Sequence, residues 1–382
     1  MGSGMGTADT FDSGRSHSKN HYVVLDGLRG VASLVVVIFH LFEAFSGGDP
    51  TRQIINHGYL AVDFFFLLSG FVIAYAYDDR WGGMQVGEFI KRRLVRLQPM
   101  IVVGSLIGAA LWAFQDYSIY PILKEASLWH VILIMVIGFT MIPLPPSADI
   151  RGWTEMYPLN GPAWSLFYEY VANLLYALGV RKLSNSALGA LVTISGAGLI
   201  AFLLLGNRGD LIGGWTLDQY HITLGVTRVM FPFFAGVLLM RLGKRIRLNN
   251  AFLIASLLLL LVLAMPRLGG TEASWLNGLY EAFCVIVMFP LIVAIGAGDK
   301  SADGIATEAS GFFGALSYPL YITHYPLMYI YTGWVVDNNV SAERGAIVGA
   351  AVLGASVLVA WASLKLIDEP ARRWLGKRLL GQ

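Results

Sequence analysis

The chain has 382 residues, of which 56% are hydrophobic and only 14% are charged, and its mean hydropathy is +0.61. A soluble core of this size would need far more surface charge, so the composition excludes a soluble protein and predicts an all-α, polytopic membrane helix bundle. The net charge of +2 excludes nothing by itself, and the single cysteine, Cys284, allows no disulfide within the chain.

The first 21 residues are mostly small and polar and contain no apolar run. They predict a flexible cytoplasmic tail rather than a cleavable signal peptide, so the first apolar segment must act as its own insertion signal. A membrane domain is predicted to follow over 22–375, and a short cytoplasmic tail over 376–382.

Ten apolar stretches are long enough to cross a bilayer. They lie near 25–45, 58–77, 98–115, 164–180, 187–205, 220–240, 251–266, 277–296, 312–333 and 343–366. A further stretch, 128–141, has about fourteen residues, which suits an interfacial or re-entrant helix better than a span. It belongs to the long segment 116–163, which is rich in Pro and Gly and long enough to cap a cavity.

The positions of the cations orient these spans. If the N-terminus is cytoplasmic, four groups of cations fall inside: Lys91, Arg92, Arg93 and Arg96; Arg181 and Lys182; Arg241, Lys244, Arg245 and Arg247; Arg372, Arg373, Lys377 and Arg378. This distribution follows the positive-inside rule and predicts that both termini are cytoplasmic. If 128–141 crossed the membrane, the second and third groups would lie outside, so we predict that it does not cross.

Two ionisable residues in the first span, Arg29 and His40, are eleven residues apart. At 100° per residue this is three turns plus about 20°, so both side chains share one face with a rise of roughly 16 Å between them. An ionisable group in mid-membrane costs on the order of 3 kcal/mol, so the pair predicts a polar wall that faces protein. The alternative is an arginine that reaches the membrane surface and a histidine that is satisfied inside the bundle.

The second span has Asp63 near its outer end and Ser69-Gly70 in its middle. Gly70 permits close approach of another helix, and Ser69 can bond to its own helix. Packing therefore explains this dipeptide, whereas a nucleophilic Ser69 would need an adjacent base.

Four cations within six residues, Lys91, Arg92, Arg93 and Arg96, precede the third span at the cytoplasmic side. They could anchor the topology by binding anionic lipid headgroups. They could also bind a phosphorylated ligand, because guanidinium groups match phosphate bidentately. The two roles are compatible.

The fourth span begins near Trp164, which suits the outer aromatic belt, and Glu169 follows five residues further in. A carboxylate in the membrane needs a partner or a proton. His40 lies five residues from the outer end of its own span, so we predict a His40–Glu169 pair at matching depth in which the carboxylate orients the imidazole. The alternative is a structural Glu169 bonded to a hydroxyl.

Other polar or aromatic groups in the spans are candidates for binding substrate: Asp63, Ser69, Trp164, Arg228, Tyr318 and His324. His324 is expected in the middle of a helix among aromatic residues, where a single buried histidine is more often structural than catalytic. Pro370 is expected to end the last span at the inner surface. No metal is expected.

Six motifs in order from Leu25 to Trp374 resemble the acyltransferase-3 family of integral-membrane acyltransferases, which includes enzymes that O-acylate cell-surface polysaccharides, Nod factors and macrolides. The motifs are LDGLRG with Arg29-x10-His40, VDFFFLLSGF, IKRRLVRLQP, GPAWSLFYE, SYPLYITH and DEPARR. Each motif alone is weak, but six in family order are specific.

The resemblance implies a donor, acetyl-CoA or another acyl-CoA, that enters from the cytoplasm in a bacterial inner membrane. It implies that Arg29 and His40 match the family's essential arginine–histidine motif and that Glu169 belongs to the functional core. Many relatives carry a C-terminal SGNH-hydrolase domain, which these 382 residues do not include. We therefore expect the chain to complete the transfer itself or to pass the acyl group to a separate protein.

The leading hypothesis is O-acylation of a carbohydrate or glycolipid acceptor by cytoplasmic acyl-CoA, with membrane lipid but no nucleic acid as a further partner. The donor phosphates bind at the cation cluster, the pantetheine arm threads between helices, and His40 acts as general base on the acceptor hydroxyl. Direct transfer is favoured over an acyl-histidine. The alternative is a proton-coupled transporter or flippase for a lipid-linked glycan, with His40, Glu169 and His324 as a proton relay. The lack of an inverted repeat argues against it.

Overall fold

The computed structural model describes residues 22–298 and 305–381, and the regular structure in these ranges is entirely helical. The predicted all-α class is therefore confirmed. The predicted flexible tail, 1–21, lies outside the described residues.

Fourteen helices follow one another in the described chain. They are α1 Val23–Glu43, α2 Ala61–Tyr77, α3 Val86–Trp112, α4 Leu128–Gly138, α5 Ala163–Leu178, α6 Asn185–Leu205, α7 Gln219–Leu242, α8 Ala251–Ala264, α9 Ser274–Phe283, α10 Phe289–Gly298, α11 Ile305–Thr323, α12 Tyr325–Asp337, α13 Ala342–Ser363 and α14 Glu369–Leu375. A π-turn over Cys284–Met288 joins α9 to α10, and another over Leu364–Asp368 joins α13 to α14.

Seven continuous helical segments of the described chain, which we call rods, are long and apolar enough to cross a membrane. They are Val23–Glu43, Gly58–Tyr77, Val86–Trp112, Asn185–Leu205, Gln219–Leu242, Ser274–Gly298 and Ala342–Leu380. The other three predicted spans coincide with α5 of 16 residues, α8 of 14 residues and the interrupted pair α11–α12. At 1.5 Å per residue, α5 and α8 are shorter than the roughly 30 Å hydrocarbon core. Length and composition therefore support a polytopic bundle with fewer full-length spans than the ten we predicted.

The stretch predicted not to cross the membrane forms α4. It has 11 residues, which rise only about 16 Å. Its N-terminus is capped by the Ser127 hydroxyl, which accepts a hydrogen bond from the backbone N–H of His130 at 3.2 Å. The length of α4 thus agrees with a segment that does not span.

The third span begins earlier than its predicted start near residue 98. Because α3 starts at Val86, the four cations lie within its first turns rather than ahead of the helix. Helical geometry then separates them onto different faces: Lys91 is exposed, whereas Arg93 is buried.

The prediction that the last helix stops at Pro370 is wrong. Pro370 does not end the last span, because one rod continues from Ala342 to Leu380. The π-turn immediately before Pro370 changes the backbone hydrogen-bond pattern where proline cannot donate. The predicted C-terminal tail, 376–382, is helical through Leu380.

His324 does not lie in mid-helix but at the junction between α11 and α12. Pro326 stands in the first turn of α12, where the missing N–H is tolerated but where a continuous helix loses one backbone bond. The helices α11 and α12 therefore form one interrupted helical segment beside α1.

The centre of the bundle is built on close helix pairs, with α1 packed along α11 and α2 packed along α7. Glycines make these approaches possible. A Cβ on Gly30 would overlap the backbone of Phe313, and a Cβ on Gly70 would overlap the carbonyl of Phe233. The expectation that Gly70 permits a close helix approach is thus confirmed.

Candidate functional site

Two adjoining cavities lie along α1, one near each end. The larger, which we call the histidine cavity, has a volume of about 500 Å³. Its wall is rich in aromatic side chains, among them Tyr120, Trp153, Trp164, Trp215, Tyr325 and Tyr329, and it also carries His40, Glu43, Glu155 and Arg228. The smaller, which we call the arginine cavity, has a volume of about 80 Å³ and includes Arg29, Ser69, Arg93, Arg96, Glu169 and Tyr318 in its wall.

His40 forms a close pair with a carboxylate on its own helix. Its Nδ1 lies 2.6 Å from Oε2 of Glu43, one turn further along α1. Because a carboxylate only accepts, the neutral imidazole carries its proton on Nδ1 and leaves the Nε2 lone pair free. The ring stands edge-on to Tyr325, with ring centroids 4.8 Å apart. The site therefore contains an oriented base in an aromatic cavity.

The predicted His40–Glu169 pair is wrong. Glu169 accepts from the Ser69 hydroxyl and from the Arg93 guanidinium, each at 2.7 Å, and it lines the arginine cavity. Although His40 and Glu169 were predicted at matching depths, their side chains do not face each other. Glu169 instead links α2, α3 and α5, which agrees with the alternative of a structural acid bonded to a hydroxyl.

His324 stacks on His40, with ring centroids 5.6 Å apart and an interplanar angle of 26°. Its Nδ1 lies 3.0 Å from the carbonyl of Leu320 and 2.9 Å from that of Tyr321, so Nδ1 carries the proton. The buried Nε2 has no hydrogen-bond partner within the described part of the chain. His324 therefore offers an apolar face to His40 rather than a second carboxylate-oriented base.

Three arginines converge on the arginine cavity, namely Arg29, Arg93 and Arg96. Arg29 also contacts Asp26 at 3.3 Å. Lys91 and Arg92 do not belong to this wall as the described residues define it, since Lys91 points to the exterior and Arg92 pairs with Glu88 at 2.6 Å. The cation cluster is thus divided between the cavity and the surface.

Arg228 and Asp63 form a buried ion pair at 2.7 Å. The same guanidinium donates to the carbonyls of Tyr59 at 2.8 Å and Gly213 at 3.1 Å, and it lies over the ring of Trp164, 5.0 Å from the centroid. Because these partners already occupy its guanidinium group, Arg228 stabilises the cavity wall and is not free to bind an anionic ligand.

Trp164 is only 6% exposed and lines the histidine cavity. Its predicted place in the outer aromatic belt is therefore wrong, because the first turn of α5 faces the protein interior rather than lipid. Tyr318 donates to the carbonyl of Leu97 at 2.6 Å and forms part of the arginine cavity.

Sequence reasoning missed Glu43 and Glu155. The Glu43 signal was available, since His40 and Glu43 are three residues apart on one helix. Glu155 lies in the loop before α5, where its Oε2 accepts from the Tyr329 hydroxyl at 2.7 Å. Burial raises the pKa of Glu155 to about 7, outweighing the opposite effect of Arg151. No periodic pattern marks a loop carboxylate of this kind.

Val62 and Tyr321 line both cavities and form their common wall. The Tyr321 hydroxyl lies 2.8 Å from Oγ of Ser165 and 3.4 Å from the carbonyl of Pro162. Among the described residues, Tyr321 and Val62 are the two that face both chambers. In the described ranges, no group of three or more His, Cys, Asp or Glu side chains could hold a metal ion.

Fold and site together define a polytopic helical membrane protein with an oriented histidine in one cavity and convergent arginines in the next. The family described as "Acyltransferase domain", the acyltransferase-3 family, matches residues 22–365. The chain belongs to this family, as the six motifs indicated.

The relatives are named mainly as O-acetyltransferases. The chain is 36% identical over 163 residues to "Protein 2 in picA locus" of Rhizobium radiobacter, covering 41% of this chain and 81% of that protein. It is 23% identical to a putative O-acetyltransferase of Staphylococcus aureus strain COL, over 94% of this chain and 58% of the relative.

The chain is also 23% identical to the O-acetyltransferase OatA of Staphylococcus aureus strain NCTC 8325, over 97% of this chain and 60% of OatA. It thus spans about three-fifths of the length of the staphylococcal relatives. No solved structure matches it.

Proposed function

We propose that this chain is a membrane O-acyltransferase that moves an acyl group, acetyl in the first instance, from acyl-CoA to a hydroxyl of a carbohydrate or glycolipid. The observation that carries the proposal is the His40–Glu43 pair, with Nδ1 and Oε2 2.6 Å apart, in a cavity that adjoins three convergent arginines. O-acyl transfer needs a base for the hydroxyl and an anion site for the donor, and these two chambers supply one each.

In this proposal His40 acts as the general base. Nε2 removes the proton from the acceptor hydroxyl while the hydroxyl oxygen attacks the thioester carbonyl. The C–S bond then breaks, and the proton passes from the imidazolium to the departing CoA thiolate. Glu43 stabilises the imidazolium through the Nδ1 hydrogen bond, which is the role of the carboxylate in a catalytic triad.

The donor phosphates are assigned to Arg96 and Arg29, with Arg93 beside them. Guanidinium groups are well suited to this role because they remain charged and bind phosphate bidentately. Glu169 holds Arg93 at 2.7 Å, so its part in the mechanism is to position that arginine, not to orient His40. Ser69 donates to the same Glu169 carboxylate and is assigned to the wall of the arginine cavity.

The acceptor is assigned to the histidine cavity. Its aromatic wall and the Glu155 carboxylate suit a polyhydroxylated ring, since tyrosine and tryptophan combine apolar faces with polar edges. We further propose a bacterial inner-membrane location, because the relatives are bacterial proteins, and we propose that both termini are cytoplasmic because of the cation distribution.

The deciding experiment measures thiol release from acetyl-CoA by membranes of the native host that contain this chain, His40→Ala or no copy of it. Mass spectrometry of the cell-surface glycans follows the acetyl group. We expect thiol release and glycan O-acetylation only with the unmodified chain. Equal glycan O-acetylation in cells with and without the chain would contradict the proposal, and glycan export without thiol release would favour a transporter.

A further inference from the structure

The two cavities share a wall, and the tyrosine in that wall is held in place. Tyr321 on α11 and Val62 on α2 face both chambers, and their side chains are only 6% and 7% exposed. The Tyr321 hydroxyl is held by Ser165 at 2.8 Å, and its ring stands edge-on to Phe65 with centroids 5.4 Å apart. Polar contacts of the hydroxyl and aromatic contacts of the ring thus fix the position of Tyr321.

This wall lies between the two halves of the proposed reaction. The cations that suit donor phosphates line one chamber, and the oriented base lines the other. A donor held by its phosphates in the arginine cavity therefore meets Val62 and Tyr321, which line both chambers, on the way to His40. The acyl group forms the leading end of the pantetheine arm, so it is the first part of the donor to meet this wall.

We propose that Tyr321 and Val62 form a constriction that selects acyl donors by the width of the acyl group. This inference rests on the proposed function and adds to it the class of donor: slender, unbranched acyl groups pass, whereas branched and aromatic ones are rejected. Tyr321 is then a specificity-determining residue rather than a catalytic one. Protein interiors are close-packed, so a buried wall resists even one extra methyl group.

The test compares acetyl-CoA, butyryl-CoA, isobutyryl-CoA and benzoyl-CoA as donors. Thiol release is measured in membranes of the native host that lacks its own copy and produces each variant, so that endogenous acceptor is present. Tyr321→Ala and Val62→Ala each widen the constriction by shortening a side chain that lines both cavities. Val72→Ala is the matched control, because Val72 lines only the arginine cavity, and Tyr321→Phe keeps the ring.

We expect the unmodified chain to discriminate against isobutyryl-CoA and benzoyl-CoA. Both widening variants should raise kcat/KM for benzoyl-CoA relative to acetyl-CoA by roughly tenfold or more, the discrimination that a hydrophobic pocket achieves for a small change in shape. Val72→Ala and Tyr321→Phe should leave that ratio unchanged. If Tyr321→Ala does not accumulate in the membrane, Tyr321→Leu and Val62→Ala decide the question.

Two outcomes overturn the constriction: an unmodified chain that uses benzoyl-CoA as well as acetyl-CoA, or widening variants with an unchanged donor ratio. Failure of the proposed function looks different, because the unmodified chain then releases no thiol from any of the four donors.

Discussion

Two histidine–carboxylate pairs in this protein have nearly the same geometry but different surroundings. His40 and Glu43 are 2.6 Å apart, and their side chains are 17% and 41% exposed. His221 and Asp218 are 2.7 Å apart, with 20% and 46% exposure. The first pair lines a large aromatic cavity, whereas Asp218 caps the N-terminus of α7 by accepting from the backbone N–H of His221.

The difference teaches that the contact itself does not identify a catalytic base. Both pairs orient an imidazole, but of the two histidines only His40 lines the histidine cavity, which adjoins the arginine cavity. The same holds for two neighbouring arginines of α3, each of which pairs with a glutamate. Arg92–Glu88 is a surface pair at 2.6 Å, and Arg93–Glu169 lines the arginine cavity at 2.7 Å.

The largest expected effect separates the two histidines. His40→Ala should lower kcat by roughly 10²–10⁴-fold, the usual contribution of a general base, while His221→Ala should leave kcat unchanged. Thiol release from acetyl-CoA with acceptor present measures both. Equal losses in the two variants would show that the cavity does not distinguish them.

A smaller effect should separate the two carboxylates. Glu43→Gln keeps the shape but replaces a charge-assisted hydrogen bond worth about 1.5–3 kcal/mol, so kcat should fall roughly 10- to 150-fold with little change in KM. Asp218→Asn is the control and should affect thermal stability rather than kcat. A normal kcat for Glu43→Gln would remove Glu43 from the mechanism.

The cations of α3 provide a third contrast. Arg96→Gln should raise KM for acetyl-CoA at least several-fold, because a phosphate contact to a charged group is worth about 1.5–3 kcal/mol. Arg92→Gln, which removes a cation outside the arginine cavity, should leave KM unchanged. Steady-state kinetics at saturating acceptor measures both, and parallel shifts would indicate a general surface-charge effect.

The smallest effect concerns the second carboxylate of the histidine cavity. The pKa of Glu155 is raised from 4.5 to about 7, so the folded state binds the proton more tightly than the unfolded state. The contribution of the protonated Glu155 carboxyl to the free energy of unfolding is complete below pH 4.5. This contribution, at most about 3 kcal/mol, is lost as the pH rises through 7.

Glu155→Gln should therefore reduce the fall in Tm between pH 5 and pH 8 in detergent. Glu125→Gln, in an exposed turn of the same long segment, is the control. A pH dependence that Glu155→Gln leaves intact would assign the effect to another group.

The helical class and the family were predictable because apolar length and motif order are properties of the chain itself. The partner of Glu169 could not be predicted, because the depth of a residue along its helix does not determine which neighbouring helix its side chain contacts. Glu169 and His40 have similar depths but line different cavities. The pairing of Glu43 with His40 could have been predicted, since both residues belong to one helix and are three residues apart.

Tertiary packing also overrode two local signals. A tryptophan at the start of a span commonly marks the membrane surface, but Trp164 is covered by Arg228 and neighbouring segments. The break at His324 depends on Pro326 and on how α12 packs against its neighbours, which hydropathy does not encode. The assignment of His40, Arg29 and Glu169 to the reaction stays a prediction.

The last rod has a consequence for the surrounding bilayer. Its 39 residues extend about 58 Å, nearly twice the hydrocarbon thickness. A helical segment of this length must tilt or project beyond the hydrocarbon core. The end of the rod carries Arg372, Arg373, Lys377 and Arg378, each worth about 1 kcal/mol near an anionic surface. The tilt of this rod should therefore depend on the anionic lipid content of the membrane.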